Sequence, residues 1–132
     1  MHVATGTFDI QVTPLAPKDA DARTGHLTFT KVFQGQIEGT STGDMLAVGT
    51  AASDAGAYVA IEWITGKLDG KEGSFALHHN GTKQNGGAYM DINVVPGSGN
   101  GQLMGISGKF EIQFEGKQHH YRFEYSLPEA SN

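Results

Sequence analysis

Cysteine is absent from the 132 residues, which excludes disulfides, thiolate nucleophiles and cysteine-held zinc or iron–sulfur centres. Charge is sparse, at 17% of the chain, and nine Lys and Arg face fourteen Asp and Glu for a net charge of −5. That is a poor footing for a phosphate backbone, so no nucleic-acid partner is expected. No window approaches the ~18 consecutive apolar residues of a spanning helix, so no membrane partner is expected either. The start, Met1-His2-Val3-Ala4-Thr5-Gly6, lacks the basic and apolar regions of a secretory leader, which makes a cytoplasmic location the expectation. Amphipathic helix periodicity is also missing. The Pro- and Asp-containing stretch Leu15–Arg23 reads as a surface loop with at most one helical turn.

Glycine, by contrast, takes 19 positions, about twice its usual ~7% share. Hydrophobic residues, at 38%, suffice for the core of a single domain over residues 1–132. The dominant period is two. Phe8, Ile10 and Val12 alternate with polar residues, and the alternation returns at 27–33, 58–68, 74–79, 89–95, 109–115 and 119–127. Gly-, Asn- and Asp-rich breaks separate these runs. Asn80-Gly81-Thr82 matches a glycosylation acceptor and reads more simply as a turn. Seven or eight strands in this length predict a sandwich or a barrel. Glycines at 35, 39, 43, 49 and 66, which permit sharp bends, favour the barrel.

Two hairpins can be read residue by residue. Asp69-Gly70 is a preferred centre for a two-residue type I′ turn. It sets Lys67 opposite Glu72, Glu62 opposite Leu77 and Ala60 opposite His79, so Glu62 and His79 become diagonal neighbours on one face. A turn at Gly116-Lys117 pairs Phe114 with His119, Ile112 with Tyr121 and Phe110 with Phe123 on an inner face, with Tyr125 following on the same side. The first hairpin is apolar on both faces, since Val59, Ile61 and Trp63 lie opposite the Glu62 side. That pattern predicts a homo-oligomer formed through a surface that includes Trp63.

Several blocks in order then carry a resemblance: Ile37-Glu38-Gly39-Thr40-Ser41-Thr42-Gly43-Asp44, Ala57-Tyr58-Val59-Ala60-Ile61-Glu62, Thr65-Gly66-Lys67-Leu68-Asp69-Gly70, His79-Asn80-Gly81-Thr82, Val94-Val95-Pro96-Gly97-Ser98-Gly99 and His120-Tyr121-Arg122-Phe123-Glu124-Tyr125. Over residues 8–128 the chain resembles the bacterial domain of unknown function family 3224, itself similar to allene oxide cyclase-like β-barrels. The resemblance implies an all-β fold, a small antiparallel β-barrel of about eight strands. It implies no activity.

Glu62 shares its face with Tyr58, Ile64, Phe75 and Leu77, and a carboxylate among such neighbours must be paired or protonated. Glu62 and His79 are therefore the catalytic candidates, and Tyr58, Glu62, His79, Tyr121 and Tyr125 the candidate ligand-binding set; the same acid–imidazole pair also fits a purely structural contact. Adjacent strand residues point to opposite faces, so neither His78-His79 nor His119-His120 chelates a metal alone. No metal and no cofactor are expected. Ser41, Ser74 and Ser107 lack a nucleophile-elbow context. Three functions remain open: a module binding a small, mostly apolar organic ligand in the barrel lumen or mouth, a cyclase- or isomerase-type enzyme moving a proton through Glu62 or His79, and a structural oligomer with a filled barrel.

Overall fold

The computed structural model describes residues 1–16, 23–49, 55–84 and 87–128. Most of these lie in strands: β1 His2–Pro14, β2 Gly25–Gly35, β3 Ile37–Gly49, β4 Ala55–Leu68, β5 Lys71–Gln84, β6 Gly87–Val94, the two-residue β7 Asn100–Gly101, β8 Ser107–Glu115 and β9 Gln118–Ser126. The sheet runs β4-β3-β2-β1-β9-β8-β6-β5, and a β4–β5 pairing joins its ends into a closed antiparallel ring of eight, with β7 hydrogen-bonded to β5 beside it. Closure pairs the strand edges all round the ring except at the β6–β8 joint, where only Asn93 and Lys109 pair. The loop expected at Leu15–Arg23 lies largely outside the described residues.

Both hairpins take the expected register. Lys67 faces Glu72, Glu62 faces Leu77 and Ala60 faces His79, while Phe114, Ile112 and Phe110 face His119, Tyr121 and Phe123. Asp69 and Gly70 have φ of 50° and 82°, as a type I′ turn requires. The Asn80-Gly81 expectation is corrected, because both residues sit inside β5. A Cβ on Gly81 would stand 2.2 Å from the Tyr58 ring. The glycine is there because an aromatic ring from the neighbouring strand lies across it, not because the chain turns.

Inward residues fill one end of the tube. Phe75, Phe110 and Tyr125 all pack on Phe123, with centroids 5.4–5.5 Å from its ring, and Ile37, Leu68, Leu103 and Ile106 pack around them. Leu103 and Ile106 come from the turns after β7, which plug this end. The tight turns lash it together: the Gln36 side chain accepts from the Thr5 backbone N–H at 2.9 Å and donates to Asp69 at 2.8 Å. At the bend between β3 and β4, Gly39 faces Gly66. Gly66 has φ of +151°, and a Cβ on it would stand 2.3 Å from the Glu38 carbonyl oxygen. Only a pair of residues without side chains lets the two backbones cross so closely.

Candidate functional site

Away from the plugged end the inward face changes character. On β2 the inward sequence is Phe29, Lys31, Phe33, and Lys31 is only 3% exposed. On β3 it is Ile37, Gly39, Ser41, Gly43, Met45, narrow enough for a polar residue to meet β4. Glu62 projects from β4 into this space with no exposed surface. Its Oε1 accepts from Lys31 Nζ at 3.1 Å and contacts His79 Nε2 at 2.8 Å, and its Oε2 accepts from Ser41 Oγ at 2.5 Å. Every oxygen of the carboxylate is engaged, which is what a buried charge requires.

Burial by itself pushes the Glu62 carboxyl upward, but the hydrogen bond from His79, the Lys31 charge and the Ser41 hydroxyl outweigh it and hold the group below the ordinary carboxylate range. Desolvation pulls Lys31 below the ordinary lysine value, against the opposing pull of Glu62. The ammonium is also 4.6 Å from the centre of the Phe8 ring and 5.3 Å from that of Phe29, within the range in which aromatic faces attract a cation. With Glu62 ionised, a neutral His79 carries its hydrogen on Nε2, and its Nδ1 is free to accept. The Tyr58 hydroxyl stands 3.4 Å from that Nδ1. Burial, and secondarily the Glu62 charge, raise the Tyr58 phenol above its usual value.

Above this cluster lies a cavity of about 290 Å³. Its floor carries Lys31 and His79, and apolar or aromatic side chains including Phe8, Phe29, Met45, Met90 and Ile112 form its walls, with Tyr58 and His119 at the side. Two glycines make room for the rings. A Cβ on Gly43 would fall 2.1 Å from the Phe29 ring, and one on Gly81 2.2 Å from that of Tyr58.

The structure therefore brings Glu62, His79 and Tyr58 together and does not bring Tyr121 or Tyr125 to them. Tyr121 donates to the Gln34 carbonyl at 3.0 Å and accepts from the Ile37 N–H at 2.9 Å. Tyr125 donates to Asp69. Burial raises both phenols, with Asp69 adding to the effect in each case and the Ile37 hydrogen bond opposing it in Tyr121. Their hydroxyls close the plugged end. His119 is on the cavity wall, where its ring stacks on Phe8 at 5.0 Å. Among the described residues no three or more His, Asp or Glu side chains gather as metal ligands. Among those residues, too, no helix is long and apolar enough to cross a membrane.

Sequence reasoning missed Lys31 and did not connect Ser41 to Glu62. The parity of Lys31 with Phe29 and Phe33 was the available signal for the first. Ser41 had a weaker one, because its inward neighbours are mostly glycine.

A family model described as protein of unknown function (DUF3224) matches residues 4–125. A solved structure from Shewanella oneidensis MR-1, described as a protein with unknown function from the same family, is 38% identical. The match covers 98% of this chain and 99% of that one, with a TM-score of 0.90. No curated protein matches the chain.

Proposed function

Because the chain belongs to the DUF3224 family, whose description carries no activity, we propose from the site alone that it binds a small, mostly apolar organic ligand in the mouth of the barrel. One observation carries this reading: an apolar cavity of about 290 Å³ with two buried polar side chains at its floor. Ligand sites of ~300–1,000 Å³ typically combine apolar walls with a few convergent polar groups, and this cavity lies just under the lower end of that range. Glu62 is sealed beneath, so it holds Lys31 and His79 in place rather than touching the ligand. The kinship with allene oxide cyclase-like barrels belongs to the same reading.

The test is native mass spectrometry of the protein purified from its own host, with calorimetric titration of trans-cinnamyl alcohol as the defined probe. A co-purifying small molecule and saturable probe binding, both lost in Met45→Trp where indole fills the cavity, are the expected results. Folded protein that binds neither overturns the reading. The Glu62–His79 contact at 2.8 Å also favours proton transfer, with His79 Nδ1 as base and Glu62 fixing its tautomer. For a cyclase or isomerase of that kind, His79→Gln keeps ligand affinity and loses turnover.

The outer face supports self-association. Leu46, Val48, Val59, Ile61 and Trp63 project outward from adjacent β3 and β4, each 47–57% exposed, beside a groove of about 630 Å³ edged by His26, Asp44 and His78. A contiguous apolar face of this kind marks an interaction surface, and its rim carries both an acid and imidazoles. A second copy related by a two-fold axis can therefore set unlike groups together. Light scattering at micromolar concentration should give a dimer mass for the wild type and a monomer mass for Trp63→Glu. A monomeric wild type overturns this.

A further inference from the structure

We infer that Lys31 is an amine nucleophile that captures the carbonyl group of a small apolar aldehyde or ketone as a protonated imine. The inference rests on the ligand-binding reading and names the ligand class. Lys31 lines the cavity, and among the described residues Glu62 is its one hydrogen-bond acceptor. An ammonium has three donors, so an arriving carbonyl oxygen finds hydrogen-bonding capacity in hand. A carboxylate ligand is the poorer match, because it would press a second negative charge toward Glu62. A neutral carbonyl on an apolar frame suits both the walls and the charge balance.

The same neighbours can run the chemistry. The Lys31 ammonium passes one proton to Glu62 Oε1, 3.1 Å away. The freed lone pair forms the N–C bond while the carbonyl π bond breaks toward oxygen, and a proton moves from nitrogen to that oxygen to give a carbinolamine. Glu62 returns its proton to the nitrogen, which passes one on to the hydroxyl at the cavity side; the C–O bond breaks, water leaves through the mouth, and the nitrogen lone pair closes the C=N bond. Ammonium and carbonyl have become iminium and water, with no other reactant consumed. The product keeps a positive charge on Nζ, so Glu62 retains its counter-ion and the rings of Phe8 and Phe29 retain their cation. Acylation of the same amine would instead strand the buried carboxylate. A lysine desolvated in an apolar pocket, pulled toward its neutral form, is the usual setting for this reaction.

The test incubates the full-length wild-type protein with trans-cinnamaldehyde and sodium cyanoborohydride at neutral pH. Peptide mapping by mass spectrometry then follows each lysine over time. Lys31 should be alkylated about tenfold faster than Lys67, Lys71 or Lys109, because the cavity holds the bound aldehyde beside its amine. Excess trans-cinnamyl alcohol, which has no carbonyl, should protect Lys31 and leave the surface lysines unaffected. Lys31→Arg, which keeps the charge, should lose the fast site. If the alcohol binds by calorimetry yet Lys31 reacts no faster than the surface lysines, the cavity reading stands and the nucleophile is overturned. If the alcohol does not bind and Lys31 is not favoured, both are overturned.

Discussion

Glu62→Ala should lower the thermal midpoint by about 10–20 °C, because removing one partner of a buried ion pair costs ~3–5 kcal/mol. The substitution leaves Lys31, 3% exposed, without its counter-ion, and leaves His79 and Ser41 without their acceptor. Lys31→Met should cost less, since the carboxylate keeps His79 at 2.8 Å and Ser41 at 2.5 Å. The double variant Lys31→Met/Glu62→Leu should regain much of the loss of Glu62→Ala, as apolar replacement of a buried pair often does. A double variant as unstable as Glu62→Ala would show that the cost came from packing. The acid limb gives a second readout. A carboxyl held below its ordinary value of 4.5 contributes stability that is fully present above that pH and is lost as pH falls through the folded-state value. Urea midpoints measured from pH 6 downward should therefore decline more steeply for the wild type than for the double variant.

Gly66→Ala should cost about 3 kcal/mol or more, and Gly70→Ala only about 1–2, although both glycines have positive φ. At Gly66 a Cβ meets the Glu38 carbonyl oxygen at 2.3 Å and the Gly39 Cα at 2.6 Å, all backbone; at Gly70 it meets nothing within 4 Å. The comparison separates the price of an unfavourable dihedral from that of pushing two strands apart. Equal losses from the two substitutions in denaturant titrations would mean that β3 can simply shift away from β4 at the bend.

The hairpins were legible because local chemistry fixes both turn and parity. Asp69-Gly70 sets the register, and the register places Glu62 diagonally from His79 without any knowledge of the rest of the barrel. Parity alone could not say how far along the tube a residue lies. Tyr121 and Tyr125 point inward as their alternation implies, yet the stagger of a closed sheet carries their hydroxyls to Gln34, Ile37 and Asp69 at the plugged end. Lys31 was hidden for another reason. A cation at an inward position runs against the apolar pattern around it, and its partner is 31 residues away on a strand that β2 does not adjoin. Gly81 looked like a turn because Asn-Gly so often is one, and only the ring of Tyr58 explains it. Strand β3 gave the weakest alternation because its inner face is mostly glycine and serine.

The ring is not equally fastened all the way round. β4 and β5 are paired along their whole lengths, whereas β6 meets β8 through the single pair Asn93–Lys109, with Lys109 reaching Asp91 at 4.0 Å. Met90 on one side of that joint and Ile112 and Phe114 on the other also border the cavity. Parting the joint would break little backbone pairing and act like a side door, enlarging the entrance while the other ladders stay zipped. If the mouth takes a ligand as proposed, a guest bulkier than the resting cavity would enter by local opening at this one joint rather than by unfolding the barrel.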